Sequence, residues 1–460
     1  MNWDTLLKPY RFRQKDRNRN KLEEFQYDYS KIIFSSAFRR MQNKTQVFPL
    51  DSNDFVRTRL THSIEASTIA TILGRGVEQK LIEKNMLSKE HDGKLSSILG
   101  AGALIHDIGN PPFGHYGEMV IQDYFKTYFE ENFVGNTDFY AYRWTNEEIG
   151  DFTHFEGNAQ AFRLLKKLQY TRDEHSINLT YPVLSTVIKY PRSSTEGNKP
   201  NIEVSYKKFG YFQSEANYFN EIVNSLGLRV DGVIKRHPLV FLLEAADDIA
   251  YSVADIEDGC KKEILSLDLI RKHMHKYLNP NKPQEKELLD TIDNIDVDPK
   301  YPIPLEVVVS IFRIKIQNYM IKASVDCFIN NHDKILSGEF DMDLLDASEA
   351  YGLKTAFKEL GEILYNTKEV LKLELTGDKI ISVLLDEFTK AISSPKRNKK
   401  GSKEEKLYHI ISSNYRFLME KYPDGENVLY NQLRLVTDFI CGMTDTYALD
   451  LYRSISAIEF

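Results

Sequence analysis

Apolar residues recur at Leu60, Ile64, Ile69, Ile72, Leu73, Val77 and Leu81 in the stretch from Thr58 to Lys84. That spacing is close to 3.6 residues and calls for a long helix with one buried face. A second helical segment runs from about Leu95 to Asp107. It must stop near Gly109 and the Pro111-Pro112 pair, because proline lacks the backbone donor that a continuing helix requires. The segment from Phe155 to Leu168 reads as another helix, and an apolar run from Val240 carries helical character into two adjacent acids, Asp247 and Asp248. After a proline-rich break at 298–304, helical spacing returns in VVVSIFRIKIQNYMIKASVDCFI and again through 353–392. Residues 180–236 mix aromatic and β-branched residues with Pro and Gly, which predicts a short hairpin or an irregular insertion. SPKRNKKGSKEEK, with six basic residues from Lys396 to Lys406, reads as an exposed loop. The pattern predicts an all-α chain with a small β-hairpin insertion.

At 460 residues the chain can form one large elaborated domain or several smaller ones. An apolar fraction of 42% with 28% charged residues excludes global disorder. Cys260, Cys327 and Cys441 are widely spaced, form no CxxC pair, and read as buried thiols in a reducing compartment. No run of eighteen apolar residues occurs, and the N-terminus has no apolar segment behind its charges, so a cytoplasmic protein with no membrane partner is expected. The net charge of -7 argues against indiscriminate coating of nucleic acid. Residues 1–50 nevertheless hold eleven Lys/Arg against five Asp/Glu, an excess that suits a phosphate as well as a solvated arm.

Chemistry concentrates in few places. His62 lies on the first helix, while His106 and Asp107 end the second. A carboxylate in the apolar segment around Asp247 and Asp248 is costly unless it is paired or holds a cation. A lone histidine or a lone HD dipeptide is ordinarily a hydrogen-bonded residue, and it is the full set that points elsewhere. Two imidazoles and two carboxylates, completed by water, suit an octahedral ion such as Mg, Mn or Fe better than a closed zinc site. His115 and Glu118 share a face if a helix starts at Gly114, and an imidazole with a carboxylate partner exchanges protons near neutral pH. Arg59, three residues before His62, presents a guanidinium that can grip phosphate. Arg39, Arg40 and Lys44 are weaker phosphate candidates. Asp247, Tyr251 and Asp255, each four residues apart, form one stripe on a helix.

Five stretches together resemble the deoxyguanosine triphosphate triphosphohydrolase (dGTPase) family of the HD phosphohydrolase superfamily. They are SSAFRRMQNKTQVFPL at 35–50, RTRLTHS at 57–63, HDIGNPPFGHYGE at 106–118, EAADDIAYSVAD at 244–255 and DFICGMTDTYA at 438–448. Residues 170–235 and 265–430 carry little of the signature. The resemblance implies a basic arm and the start of the substrate site over 1–50, an HD-domain helical core over 51–260 with an insertion near 170–235, and a helical C-terminal region over 261–460. It implies metal ligation by His62, His106, Asp107 and Asp247. The first aspartate of the pair is chosen because a tyrosine, Tyr251, follows four positions later; from spacing alone Asp248 is its rival. The ion implied is Mg or Mn, with Fe, Co, Ni and Zn also admitted. His115 and Glu118 take the catalytic roles, and Arg59, Gln46, Tyr251 and Asp255 bind substrate, the last three around the deoxyribose.

The implied reaction is hydrolysis of dGTP to deoxyguanosine and tripolyphosphate. Broad dNTP hydrolysis or another HD nucleotide phosphatase is the alternative, and a nucleotide or nucleic-acid sensor with a vestigial HD site is the non-enzymatic one. The family also implies a homo-oligomer, with single-stranded DNA or a dNTP as effector. No residue in the sequence identifies itself as a reader of guanine.

Overall fold

Thr58 opens the first of these helices with a reciprocal cap: its hydroxyl accepts from Thr61 N at 3.3 Å, while Thr58 N donates to the Thr61 hydroxyl at 3.0 Å. The helix α1, Arg59–Glu83, follows directly. In the computed structural model the described residues are 1–14, 21–50, 57–133, 144–169, 172–199, 203–294 and 305–458. The proline-rich break and residues 15–20 of the basic arm lie outside them. The helices that position the site are α1, α2 (Lys94–Ile105), α3 (Gly114–Phe133), α4 (Gly157–Arg163), α5 (Pro238–Lys261), α6 (Leu305–Asn330), α7 (Tyr351–Tyr365), α8 (Lys368–Ser393), α9 (Val428–Cys441) and α10 (Asp445–Ile455).

The architecture is all-α. The strands among the described residues are β1 (Arg229–Val230) and β2 (Val233–Ile234), an antiparallel pair within the region expected to hold a hairpin. No helix among the described residues is long and apolar enough to cross a membrane.

α1 and α2 pack closely because Gly74 has no side chain; a Cβ there would lie 2.8 Å from the Ser96 Cα. α5 packs against both. It starts at Pro238, where a missing N–H costs nothing, and buries Leu239, Phe241, Leu242, Leu243, Ala246, Ile249 and Ala250. A helix apolar on most sides belongs inside a protein, and this one holds Asp247 at the edge of the interior, its side chain 37% accessible.

Three local readings differ from the expectation. Ile64 and Ile72, counted as core on α1, are about half exposed. The expected helix over 155–168 is α4 followed by a π-helical turn, Leu164–Leu168. The basic stretch after Ser394 is a 3-10 turn, Pro395–Asn398, leading into a helix at Lys403 rather than a plain loop.

Candidate functional site

The cap at Thr58 sets Arg59 and His62 one turn apart at the buried start of α1. α2 ends at Ile105, and the turn that follows carries His106 and Asp107. His106 Nδ1 donates to the Ala103 carbonyl at 2.7 Å, which leaves Nε2 bare and aimed at Asp247 Oδ1, 3.3 Å away. His62 Nε2 reaches the same Asp247 oxygen at 3.0 Å. Suitable donor atoms of His62, His106 and Asp247 all lie within 4.8 Å of one another. Among the described residues, His106 Nε2 is buried with no hydrogen-bond partner. Two imidazole nitrogens converging on one carboxylate oxygen need either protons or a cation between them. Burial opposes protonation of His106, yet Asp247 and Asp107 outweigh it and raise the imidazole to about 9. The site is therefore built around positive charge, and its donors fit a divalent metal.

Asp107 stands beside this trio with both oxygens engaged. Oδ2 accepts from Arg59 Nη1 at 2.7 Å and Oδ1 from Asn110 Nδ2 at 2.8 Å; His106 Nε2 is 3.8 Å from Oδ1. Burial would raise its carboxyl, but Arg59, His106 and His62 prevail and bring it down to about 2. Asp248 points elsewhere, pairing with Lys354 at 3.0 Å. Of the two adjacent acids, Asp247 is the one brought to the histidines.

The turn after Asp107 is held in an unusual shape. Phe113 has φ +62°, uncommon for a residue with a side chain, and its N–H donates to Asp445 Oδ1 at 3.0 Å. Gly114 has φ +63°, which favours glycine, and a Cβ there would press on Arg59 Nη2 at 2.6 Å. α3 then starts where expected and sets His115 Nδ1 3.3 Å from Glu118 Oε2. The His115 side chain is 78% accessible while Glu118 is buried, so the imidazole is open to a ligand and its partner is fixed. Glu118 also accepts from Gly157 N at 3.1 Å on α4. Glu118 raises the His115 pKa above the usual histidine value.

α5 aligns Asp247, Tyr251 and Asp255 along one side, as the spacing predicts. Tyr251 shares a hydroxyl contact with Tyr365, whose hydroxyl donates to Asp255 Oδ2 at 2.5 Å. The two tyrosine rings lie within 10° of parallel. Burial raises the Asp255 carboxyl to about 7. The backbone of residues 44–46 runs beside the start of α1: Arg59 N donates to the Lys44 carbonyl at 2.8 Å, Thr45 bridges to Thr58, and Gln46 N donates to the Arg57 carbonyl. The Gln46 side-chain oxygen is buried with no partner among the described residues.

Several neighbours escaped the sequence reading. Lys208 meets Glu156 at 2.8 Å and Glu118 at 3.7 Å, and Lys189 meets Glu244 at 3.0 Å, one turn before Asp247. Tyr365 joins Asp255 across 110 positions of sequence, and no local pattern announces such a pairing. Lys44, a weak phosphate candidate, is instead buried, its amine donating to the carbonyls of Asn110 and Cys441 at 2.6 and 2.7 Å. The DFICGMTDTYA stretch brings no ligand. Its Asp438 grips Arg163 of α4 at 2.7 Å, and its Asp445 accepts from Thr45 N at 2.9 Å as well as from Phe113 N. Asp445, at the start of α10, thereby clamps both the Gln46 segment and the turn at Phe113.

Residues 353–454 match the phosphohydrolase-associated domain family. Over its whole length the chain is 39% identical to the whole of a deoxyguanosinetriphosphate triphosphohydrolase-like protein of Listeria monocytogenes, and 35% identical to the whole of one of Synechocystis. It is 32% identical to a deoxyguanosinetriphosphate triphosphohydrolase of Cronobacter sakazakii over 95% of this chain and 94% of that one. With that similarity running from end to end, and His62, His106 and Asp247 grouped where a metal fits, the chain belongs to the dGTPase family of the HD phosphohydrolases.

Proposed function

We propose that the protein is a metal-dependent triphosphohydrolase that converts dGTP to deoxyguanosine and inorganic tripolyphosphate. The observation that carries this reading is the convergence of His62, His106 and Asp247 beside the exposed His115 and its buried partner Glu118. Asp107 would complete the ligand set with Arg59 turned from it to the substrate. Mg and Mn are the ions proposed, with Mn favoured over Mg because two donors are imidazoles and Mg prefers oxygen; Fe, Co, Ni and Zn suit the same donors. When bound, such an ion supplies Lewis-acid charge to a phosphate oxygen.

The chain's own groups supply the rest. Arg59, Lys189 and Lys208 offer cations to the triphosphate. Water adds at the α-phosphorus, the bond to the 5′-oxygen breaks, and His115 gives that oxygen its proton. Glu118 favours the charged imidazole and aims it. At the sugar end, Gln46 and Asp255 read the 3′-hydroxyl, while the Tyr251 ring leaves a 2′-hydroxyl without room or partner. An unsatisfied buried hydroxyl costs about 1 to 3 kcal/mol, or roughly ten to a hundredfold in relative rate.

The test is kcat/KM for dGTP, GTP, 2′,3′-dideoxyGTP and the other three dNTPs, with product analysis. Tripolyphosphate is expected as product, dGTP is expected to outrun GTP by at least that factor, and Tyr251→Ala is expected to narrow the gap. Equal use of GTP and dGTP removes the sugar assignment. Equal use of all four dNTPs replaces the guanine preference with broad dNTP hydrolysis, release of orthophosphate points to another HD phosphatase, and no turnover with any metal leaves a sensor.

We also propose a cytoplasmic homo-oligomer responsive to dNTP or single-stranded DNA, organised as basic arm, HD core and helical C-terminal region over 1–50, 51–260 and 261–460. The three buried, unpaired cysteines suit a reducing compartment. The exposed Val307, Ile311 and Ile314 on α6 suit contact with a second copy. A cavity of about 1020 Å³ lined by Arg13, Lys31, Arg39 and Arg40 suits a polyanionic effector. Light scattering is expected to give a mass above one chain at micromolar concentration, and Arg39→Ala with Arg40→Ala is expected to blunt any response of the rate to added dNTP or single-stranded DNA. A monomer indifferent to both ends this part of the reading.

A further inference from the structure

Phe48 is fully buried, yet it stands apart from the main core. With Val47, Leu364 and Val370 it forms a second, small apolar cluster, against which Ile264 and Tyr365 pack. Lys262, the residue that caps α5, lies 5.0 Å from the Phe48 ring centre and 3.4 Å from Glu369 on α8. Four stretches therefore meet here: residues 45–50, the end of α5, the end of α7 and the start of α8. Three of them carry or adjoin a group at the sugar end of the site. Gln46 precedes Val47, Tyr365 follows Leu364, and Asp255 lies two turns before Lys262.

Gln46 does not hold itself in place. Its side-chain oxygen has no partner among the described residues, and its N–H reaches the Arg57 carbonyl only at 3.4 Å, long for a hydrogen bond of this type. Its position follows from what anchors the chain on either side. On one side Asp445 fixes Thr45, at 2.9 Å to the N–H and 2.7 Å to the hydroxyl. On the other side, among the described residues, Val47 and Phe48 are the packed side chains of this stretch. The same ring abuts the end of α7, whose last residue, Tyr365, bonds Asp255. A cluster of four buried residues outside the main core is a small cooperative unit, and it can loosen without unfolding the rest.

We propose that Phe48 is a positioning residue for sugar recognition: it sets the Gln46 amide in register with the Tyr365–Asp255 pair, so that both meet the 3′-hydroxyl of one bound nucleotide. The proposal rests on the assignment of Gln46 and Asp255 to that hydroxyl. It names a residue that touches neither substrate nor metal and acts through the placement of two that touch substrate.

The experiment compares kcat/KM for dGTP and 2′,3′-dideoxyGTP in the parent, Phe48→Ala and Phe48→Leu, with bound metal measured beside them. Phe48→Ala is expected to lower the dGTP-to-dideoxyGTP ratio about tenfold, the scale of one hydrogen bond. The loss is expected chiefly in KM for dGTP, with metal content unchanged, and Phe48→Leu is expected to recover most of it. A purely structural role would lower both substrates together; an unchanged ratio in Phe48→Ala overturns the proposal. If Phe48→Ala does not fold, Val370→Ala loosens the same cluster from the opposite side, and an unchanged ratio there overturns it equally. A parent that uses both substrates equally refutes the sugar assignment itself, whereas a parent that discriminates beside an unchanged variant refutes only the role of Phe48.

Discussion

His106→Ala is expected to lose bound metal and turnover together while keeping the helical structure. His106 supplies one of two imidazole nitrogens that meet at Asp247 Oδ1, and its own Nδ1 is already committed to the Ala103 carbonyl. Removing the ring leaves only His62, Asp247 and the Arg59-paired Asp107, too few free donors to hold an ion in competition with water. Lewis-acid stabilisation of a reacting phosphate is worth several kcal/mol, and about 4 kcal/mol of it corresponds to roughly 10³ in rate.

Asp107 demands a gentler change. Its carboxylate is the partner of the buried Arg59 guanidinium, and removing one member of a buried pair typically costs about 3 to 5 kcal/mol of stability. Asp107→Ala would therefore confuse unfolding with metal loss; Asp107→Asn keeps the shape and removes the charge. Asp248→Asn is the control. That residue faces Lys354, so metal is expected to remain. Metal analysis beside circular dichroism reads all three variants. Full turnover in metal-free His106→Ala, or loss of metal from Asp248→Asn with metal kept in Asp107→Asn, would overturn the ligand assignment.

The parts of this arrangement that sequence could disclose are those set by local periodicity. Leu60 to Leu81 announced α1 to within a residue or two, and Thr58 stands at its cap. The four-residue steps among Asp247, Tyr251 and Asp255 translate directly into one side of α5, and the step from His115 to Glu118 into one face of α3. Spacing could not choose between Asp247 and Asp248, because both lie on the same helix and differ only in what faces them. His62 of α1 and His106 of the turn after α2 face one, and Lys354 of α7 faces the other.

The same limit explains every residue that was missed. Lys189 and Lys208 lie in a stretch without helical period, and Tyr365 ends a helix whose pattern reports burial alone. DFICGMTDTYA was legible as a signature but not as a device. Asp445 serves two N–H groups that lie 332 and 400 positions away, and only the folded chain brings them to it.

His115→Ala is expected to keep its metal and lose roughly 10² to 10⁴ in kcat, the range for a well-placed general acid or base. Because the imidazole is 78% accessible and the buried Glu118 keeps Gly157 N and Lys208 as partners, its removal is expected to change stability by about 1 kcal/mol, and circular dichroism separates that from the rate effect. The pH profile supplies a second, independent readout. Glu118 raises the His115 pKa more than burial, Lys208 and Arg59 lower it. An imidazole that must be protonated to donate keeps the enzyme active up to that raised value, and the rate falls as pH climbs through it. Glu118→Gln removes the largest raising influence while its amide oxygen can still accept from Gly157 N. The alkaline fall in kcat is therefore expected to move to lower pH in Glu118→Gln and to vanish in the residual activity of His115→Ala. A kcat for His115→Ala within about threefold of the parent, at saturating substrate and metal, would take His115 out of the proton transfer. An alkaline limb that stays put in Glu118→Gln would assign that limb to another group.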